Sequence, residues 1–191
     1  MPAVAKFVVV LLIALAAAGS AAAQTLADKS KEAERLVAEG KFADALAALD
    51  EASRLVWEQA PLSCRRILWV AEKAPGFGNY NPREGNTFSS GESMLVYAEP
   101  IGFGWSKSGE IWHAELAADI VIRAKDGSEI YRQKDFAQLP VASRARIREF
   151  FVNLTYKLSG IPKGEYFVDT VLRDTNTADK QATCTLPFTI R

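Results

Sequence analysis

One histidine, His113, and two cysteines, Cys64 and Cys184, are all that this 191-residue chain offers by way of imidazole or thiol chemistry. A single imidazole removes most constellations that move protons near neutral pH. A tetrahedral zinc site would have to recruit all three of these side chains and a carboxylate as well, so neither a metal nor a cofactor is expected. The spacings of a Gly-x-Ser-x-Gly nucleophile elbow, a His-Glu-x-x-His pair and a phosphate-binding Gly-x-x-x-x-Gly-Lys loop are absent from the sequence. No residue is assigned a catalytic role.

Carboxylates alone can cleave glycosides if two of them flank a cleft. Glu99, Glu115 and Asp119 are the acids to watch for that alternative, a small cell-wall glycan hydrolase. Two loops hold aromatic and polar groups that a core does not obviously need: Phe77, Tyr80, Asn81 and Arg83 in one, Phe103 and Trp105 in the other. Rings beside hydrogen-bonding groups suit stacking on a sugar or gripping a peptide, and these six are the candidate binding residues. Arg144, Arg146 and Arg148 make a short basic stripe that would discourage strand addition at an edge.

The elements that would position these residues start after a leader. Residues 1–23 combine a basic start at Lys6, an apolar run of about ten residues and Ala21-Ala22-Ala23 before Gln24, the three parts of a cleavable signal peptide. The run is well short of the roughly 20 apolar residues that a bilayer demands, so no permanent membrane anchor is expected and the working part is placed in the periplasm or outside the cell. Removing Lys6 leaves 22 basic against 23 acidic side chains, a balance unlike that of a nucleic-acid binder. In an oxidising compartment Cys64 and Cys184 would be free to pair, although two separate buried thiols are the alternative.

Residues 24–60 show helical periodicity, with Leu36, Val37, Ala45, Leu49, Ala52, Leu55 and Val56 recurring mostly at spacings of three and four. Glu39-Gly40-Lys41 interrupts the pattern, and two antiparallel helices are expected. From 61 to 191 the period changes to alternation with recurrent turn signals. Seven strands are expected, near 64–72, 93–101, 111–124, 129–136, 148–158, 165–174 and 181–190, with Pro187 placing the last at an edge.

Ala33, Leu36, Gly40, Phe42, Ala45, Leu49 and Ala52 resemble the packing positions of one tetratricopeptide-type unit. The run Pro162-Lys163-Gly164-Glu165-Tyr166-Phe167-Val168-Asp169, then Leu172-Arg173-Asp174 and the terminal Thr185-Leu186-Pro187-Phe188-Thr189-Ile190, look like the immunoglobulin-like sandwich appended to bacterial envelope proteins. The cysteine-tryptophan-cysteine arrangement of antibody-type domains is not evident. The expected fold is mainly β with an N-terminal α-hairpin before an antiparallel seven-stranded immunoglobulin-like sandwich. The expected role is a non-enzymatic binding or assembly module for an envelope protein or polymer. A third alternative is a carrier whose small apolar ligand would lie between hairpin and sandwich.

Overall fold

The computed structural model describes residues 25–177 and 179–191; the expected signal segment, 1–23, lies outside them. The chain divides into two compact units after Gln59.

In the first unit, helix α1 covers 25–38 and α2 runs Phe42–Gln59. The reversal between them is a Schellman closure. Gly40 sits at φ +73°, its N–H reaches the carbonyl of Val37 at 3.0 Å, and the N–H of Lys41 reaches that of Leu36 at 2.9 Å. An L-residue at that φ is strained, which is why glycine closes the helix. The seam is made of small side chains, Ala33, Ala45 and Ala48 around Leu36, so the two backbones approach closely. The apolar positions Val37, Leu49 and Val56 do not join this seam. They stay exposed together with Phe42 and Leu46, and Phe42, Leu46, Leu49 and Val56 recur along α2 at three-, four- and seven-residue spacing.

The second unit is a two-sheet β-sandwich. Its strands are β1 (Ser63–Val70), β2 (Thr87–Phe88), β3 (Ser93–Ile101), β4 (Ser106–Ser108), β5 (Ile111–Ala124), β6 (Glu129–Ser143), β7 (Val152–Lys157), β8 (Gly164–Asp174) and β9 (Gln181–Ile190). One sheet has the order β1-β3-β7; the other has the order β2-β9-β8-β5-β4, with β6 also on β5. Pairing is antiparallel except between β2 and β9.

Nine strands among the described residues replace the expected seven. β2 and β4 are two and three residues long, too short to show a period of alternation. β6 runs on through Pro140 to Ser143 instead of ending near 136. Proline is tolerated there because β6 pairs on one side only, with Pro140 opposite Glu115. The expected strand at 148–158 shortens to Val152–Lys157.

The core lies between the sheets. Val96 and Ala98 of β3 and Val152, Leu154 and Tyr156 of β7 meet Ile120 and Ile122 of β5, Val168 of β8 and Phe188 of β9. Trp69 of β1 joins the layers, donating from Nε1 to the carbonyl of Pro187 at 2.9 Å while its ring meets Phe88 edge-on at 5.0 Å. A disulfide between Cys64 of β1 and Cys184 of β9, with Cα atoms 6.2 Å apart, ties one sheet to the other across 120 residues of chain.

Candidate functional site

The outer face of the three-stranded sheet is built from alternation and one irregularity. On β3, Val96 and Ala98 point into the core, so Tyr97 and Glu99 point outward. On β1 the register shifts between Cys64 and Arg66, a bulge that turns two consecutive arginines toward one carboxylate, where a regular strand would have sent them to opposite faces. Arg65 Nε lies 2.8 Å from Glu99 Oε2, and Arg66 Nε lies 4.0 Å from Oε1.

Segment 71–83 crosses this face and is fastened to it. The Asn153 side chain accepts from the Ala74 N–H at 3.0 Å and donates to the Ala74 carbonyl at 2.9 Å. The Gly78 N–H donates to the Tyr97 hydroxyl at 2.8 Å, and that hydroxyl donates to Glu99 at 2.7 Å. Tyr80 and Phe151 lie against the Tyr97 ring at 4.4 and 5.6 Å. Burial first, and then the hydrogen bond to the Glu99 carboxylate, push the Tyr97 phenol up to about 12 against the lowering effect of the Gly78 N–H.

The result is a small second core whose rim is cationic and aromatic. The Arg65 guanidinium sits over Phe77 at 4.9 Å and that of Arg66 over Tyr80 at 5.9 Å. Both arginine side chains remain about half exposed, at 49% and 54%. Guanidinium planes held over rings keep donors free for carboxylate or phosphate oxygens.

Of the six candidate binding residues, this rim brings together Phe77 and Tyr80. Asn81 is exposed beside it and donates to Glu72 at 2.5 Å. Arg83 turns away, its guanidinium 4.4 Å over Phe88 and bonded to the Thr87 carbonyl and to Glu92. Phe103 is fully buried and packs on Phe150 and on the half-buried Trp105; a buried ring presents no face to a ligand. Its loop is a structural turn. Gly102 has φ +78°, Lys180 Nζ donates to the carbonyls of Ala60 and Gly102 at 2.9 and 2.7 Å, and Asp174 accepts from the Gly104 N–H.

The basic stripe is engaged locally, Arg144 with Glu110 and Arg146 over the Trp112 ring. His113 is half-exposed on β5 opposite Ser106. The three watched acids do not converge. Glu99 lies on the outer face of one sheet, and Asp119 lies on the outer face of the other, held by Arg173 at 2.9 Å. Glu115 is four residues from Asp119 along β5, about 13 Å at roughly 3.3 Å per residue, beyond the roughly 5 to 9.5 Å that paired glycosidase carboxylates span. These three acids therefore do not form the pair of facing carboxylates that the glycan-hydrolase alternative asked of them.

Arg65 and Arg66 are the site residues that sequence reasoning missed. Two adjacent basic residues in a strand read as one inward and one outward, and no residue type marks the bulge.

No protein-family model matches the chain, and no curated protein matches it. Solved structures similar to it include the alkylpurine DNA glycosylase AlkC of Pseudomonas fluorescens, 11% identical over 73% of this chain and 32% of that one, with a TM-score of 0.39. This chain thus spans about a third of the glycosylase's length. The PKD domain of an M14-like peptidase from a Thermoplasmatales archaeon is 13% identical over 69% of this chain and 96% of its own (TM-score 0.35). The C-terminal domain of Wzt is 12% identical over 71% and 76% (TM-score 0.38).

Proposed function

We propose that this chain is an exported, non-enzymatic binding or assembly module of the bacterial envelope, a tetratricopeptide-like helical hairpin carried before an immunoglobulin-like sandwich. It works in the periplasm or outside the cell, and it contacts an envelope protein or polymer that presents carboxylates or phosphates. The observation that carries this reading is the rim in which Arg65 and Arg66 lie half-exposed over Phe77 and Tyr80. Its supports are the buried Glu99 and Tyr97 and the half-buried Asn153, all hydrogen-bonded, so little ordering is left to be done on binding.

Co-sedimentation with the bacterial envelope fraction tests it. Wild-type protein is expected to sediment, and Arg66→Glu plus Phe77→Ser, both on the rim, to reduce that at least about fivefold with the circular dichroism spectrum unchanged. Protease treatment of the fraction separates a protein partner, whose loss abolishes sedimentation, from a polymer. Equal sedimentation of the double variant, or none by the wild type, overturns the reading.

A further inference from the structure

The two sheets of the sandwich differ in width, and the difference opens a cleft. β7 is the last strand of the three-stranded sheet, whereas the larger sheet continues past β5 to β6. Cross-strand partners point to the same side of a sheet. Tyr131 and Gln133 of β6 pair with Ile122 and Ile120, both core residues, so they project toward the sandwich interior at a place where the facing sheet has run out. The space between is a cleft of about 300 Å³, at the lower end of the roughly 300 to 1,000 Å³ of small-molecule sites.

Its floor is apolar. Ile120 and Tyr156 are fully buried, and Phe136 and Leu158 pack against the same core. Phe136 reaches the floor because β6 carries two extra residues between Gln133, opposite Ile120, and Ala137, opposite Ala118. There Asp135 adopts φ +52° and Phe136 comes within 5.4 Å of the Tyr156 ring. The Tyr156 hydroxyl is already bonded to Thr170 at 2.5 Å, so the floor offers no free polar group of its own.

The rim has a different character. Ile130 and Tyr131 border the cleft and are 46% and 45% exposed. Among the described residues of 60–191 they are the exposed large hydrophobic side chains, and both sit at this one opening. Lys157 is the charged residue among those lining the cleft and enters no ion pair among the described residues. It stands on edge strand β7 between the inward Tyr156 and Leu158, so its side chain leaves toward the outer face and has to turn round the free edge of that strand to meet the mouth. Ser159 and Gln133 add polar groups beside it.

We propose that this cleft binds a single-chain acidic amphiphile, a fatty-acid-like molecule whose alkyl chain lies along Ile120, Phe136 and Tyr156 and whose anionic head meets Lys157. An apolar floor without free donors selects a hydrocarbon chain, and one lysine without an ion pair, on the edge strand beside the mouth, selects a negative head over a positive one. The volume holds about ten chain atoms at the roughly 30 Å³ of a water-sized group. This site is separate from the arginine rim and does not depend on its role.

The test is titration of the purified exported chain with decanoate, and with decyltrimethylammonium as the cation of equal chain length, followed by calorimetry and amide chemical shifts. Decanoate is expected to saturate one site, with shifts centred on β6 and β7, and to bind at least about tenfold more tightly than the cation. Ile130→Ser plus Tyr131→Ser, at half-exposed positions that leave the core intact, should weaken both amphiphiles by about tenfold or more. Lys157→Gln should remove the preference for decanoate while keeping chain binding. Absence of saturable decanoate binding, equal binding of the two head groups by the wild type, or affinity unchanged by the double serine variant overturns the proposal. Sedimentation equilibrium of the free chain adds a further outcome. A dimer dissociated by the double serine variant would mean that a second copy fills the cleft, and would overturn it as well.

Discussion

Tyr97 and Glu99, two residues apart on β3 and therefore on one face of it, share a 2.7 Å hydrogen bond on the outside of the three-stranded sheet. Both are buried there, because segment 71–83 lies over them. The phenol is the hinge of the arrangement. It accepts the Gly78 N–H and donates to a carboxylate that two arginines also address, so a single oxygen connects the crossing segment, the strand and the cationic rim.

Tyr97→Phe keeps the ring stack with Tyr80 and Phe151 and deletes that oxygen. The Gly78 N–H loses its acceptor and Glu99 a donor, a change expected to cost about 1 to 3 kcal/mol in urea denaturation. The phenol is raised from its ordinary value to about 12, by burial first. A raised group contributes stability that is complete below its unfolded value, roughly 10, and is lost as pH climbs through the folded one. Wild-type stability should therefore fall between about pH 10 and 12 through this group, and the Tyr97→Phe protein should lack that component.

Much of this fold is legible in the residues, and the failures have a common cause. Gly40 between two helical patterns marks a reversal by itself, and the long alternations of β5, β8 and β9 leave little choice of period. Alternation carries no information about width or register, however. Two extra residues in β6 and one in β1 decide where Phe136 and Arg65 point, and a bulge has no fixed sequence signature. Pro140 reads as a strand end, yet the open edge of β6 accommodates it. For the candidate site, Phe77 and Tyr80 were visible as excess aromatics in a loop. Phe103 carried the same signal and is core, because only the fold decides which aromatic ring has a strand over it.

The Cys64–Cys184 disulfide closes 120 residues between the two sheets. On the chain-entropy model such a loop stabilises the native state by about 4 to 5 kcal/mol. Replacing both cysteines by serine should lower urea stability by about that amount. Added reductant should then shift the wild-type midpoint and leave the variant's unchanged.

Gly102 combines two demands that alanine cannot meet. Its φ of +78° lies in the left-handed region, and a Cβ there would run into the carbonyl of Pro61. Gly102→Ala should destabilise the second unit by more than about 1 kcal/mol. By contrast Gly127→Ala, at a similar φ in an open turn, should cost the backbone strain alone, so thermal unfolding of the two variants separates the clash from the strain.

On the outer face of the larger sheet, Asp169 accepts from Nε and Nη2 of Arg123 at 2.6 and 2.8 Å and from the Thr185 hydroxyl at 2.6 Å. Arg123 first, and then Thr185 against the opposing effect of burial, hold its carboxyl below the ordinary range. For Asp119 burial is the largest influence and acts upward, but Arg173 and the Asp135 N–H together outweigh it and lower that group too. A lowered carboxyl contributes stability that is complete above its unfolded value, roughly 3.9, and is lost as pH falls through the folded one. The sandwich should therefore lose stability below about pH 4 to 5. Asp169→Asn should cost about 1 to 3 kcal/mol at pH 7, where it leaves Arg123 without its anion. The substitution should also flatten the acid limb, so that wild type and variant converge as pH falls. Parallel stability curves for the two proteins down to acid pH would show that this pair does not contribute to the limb.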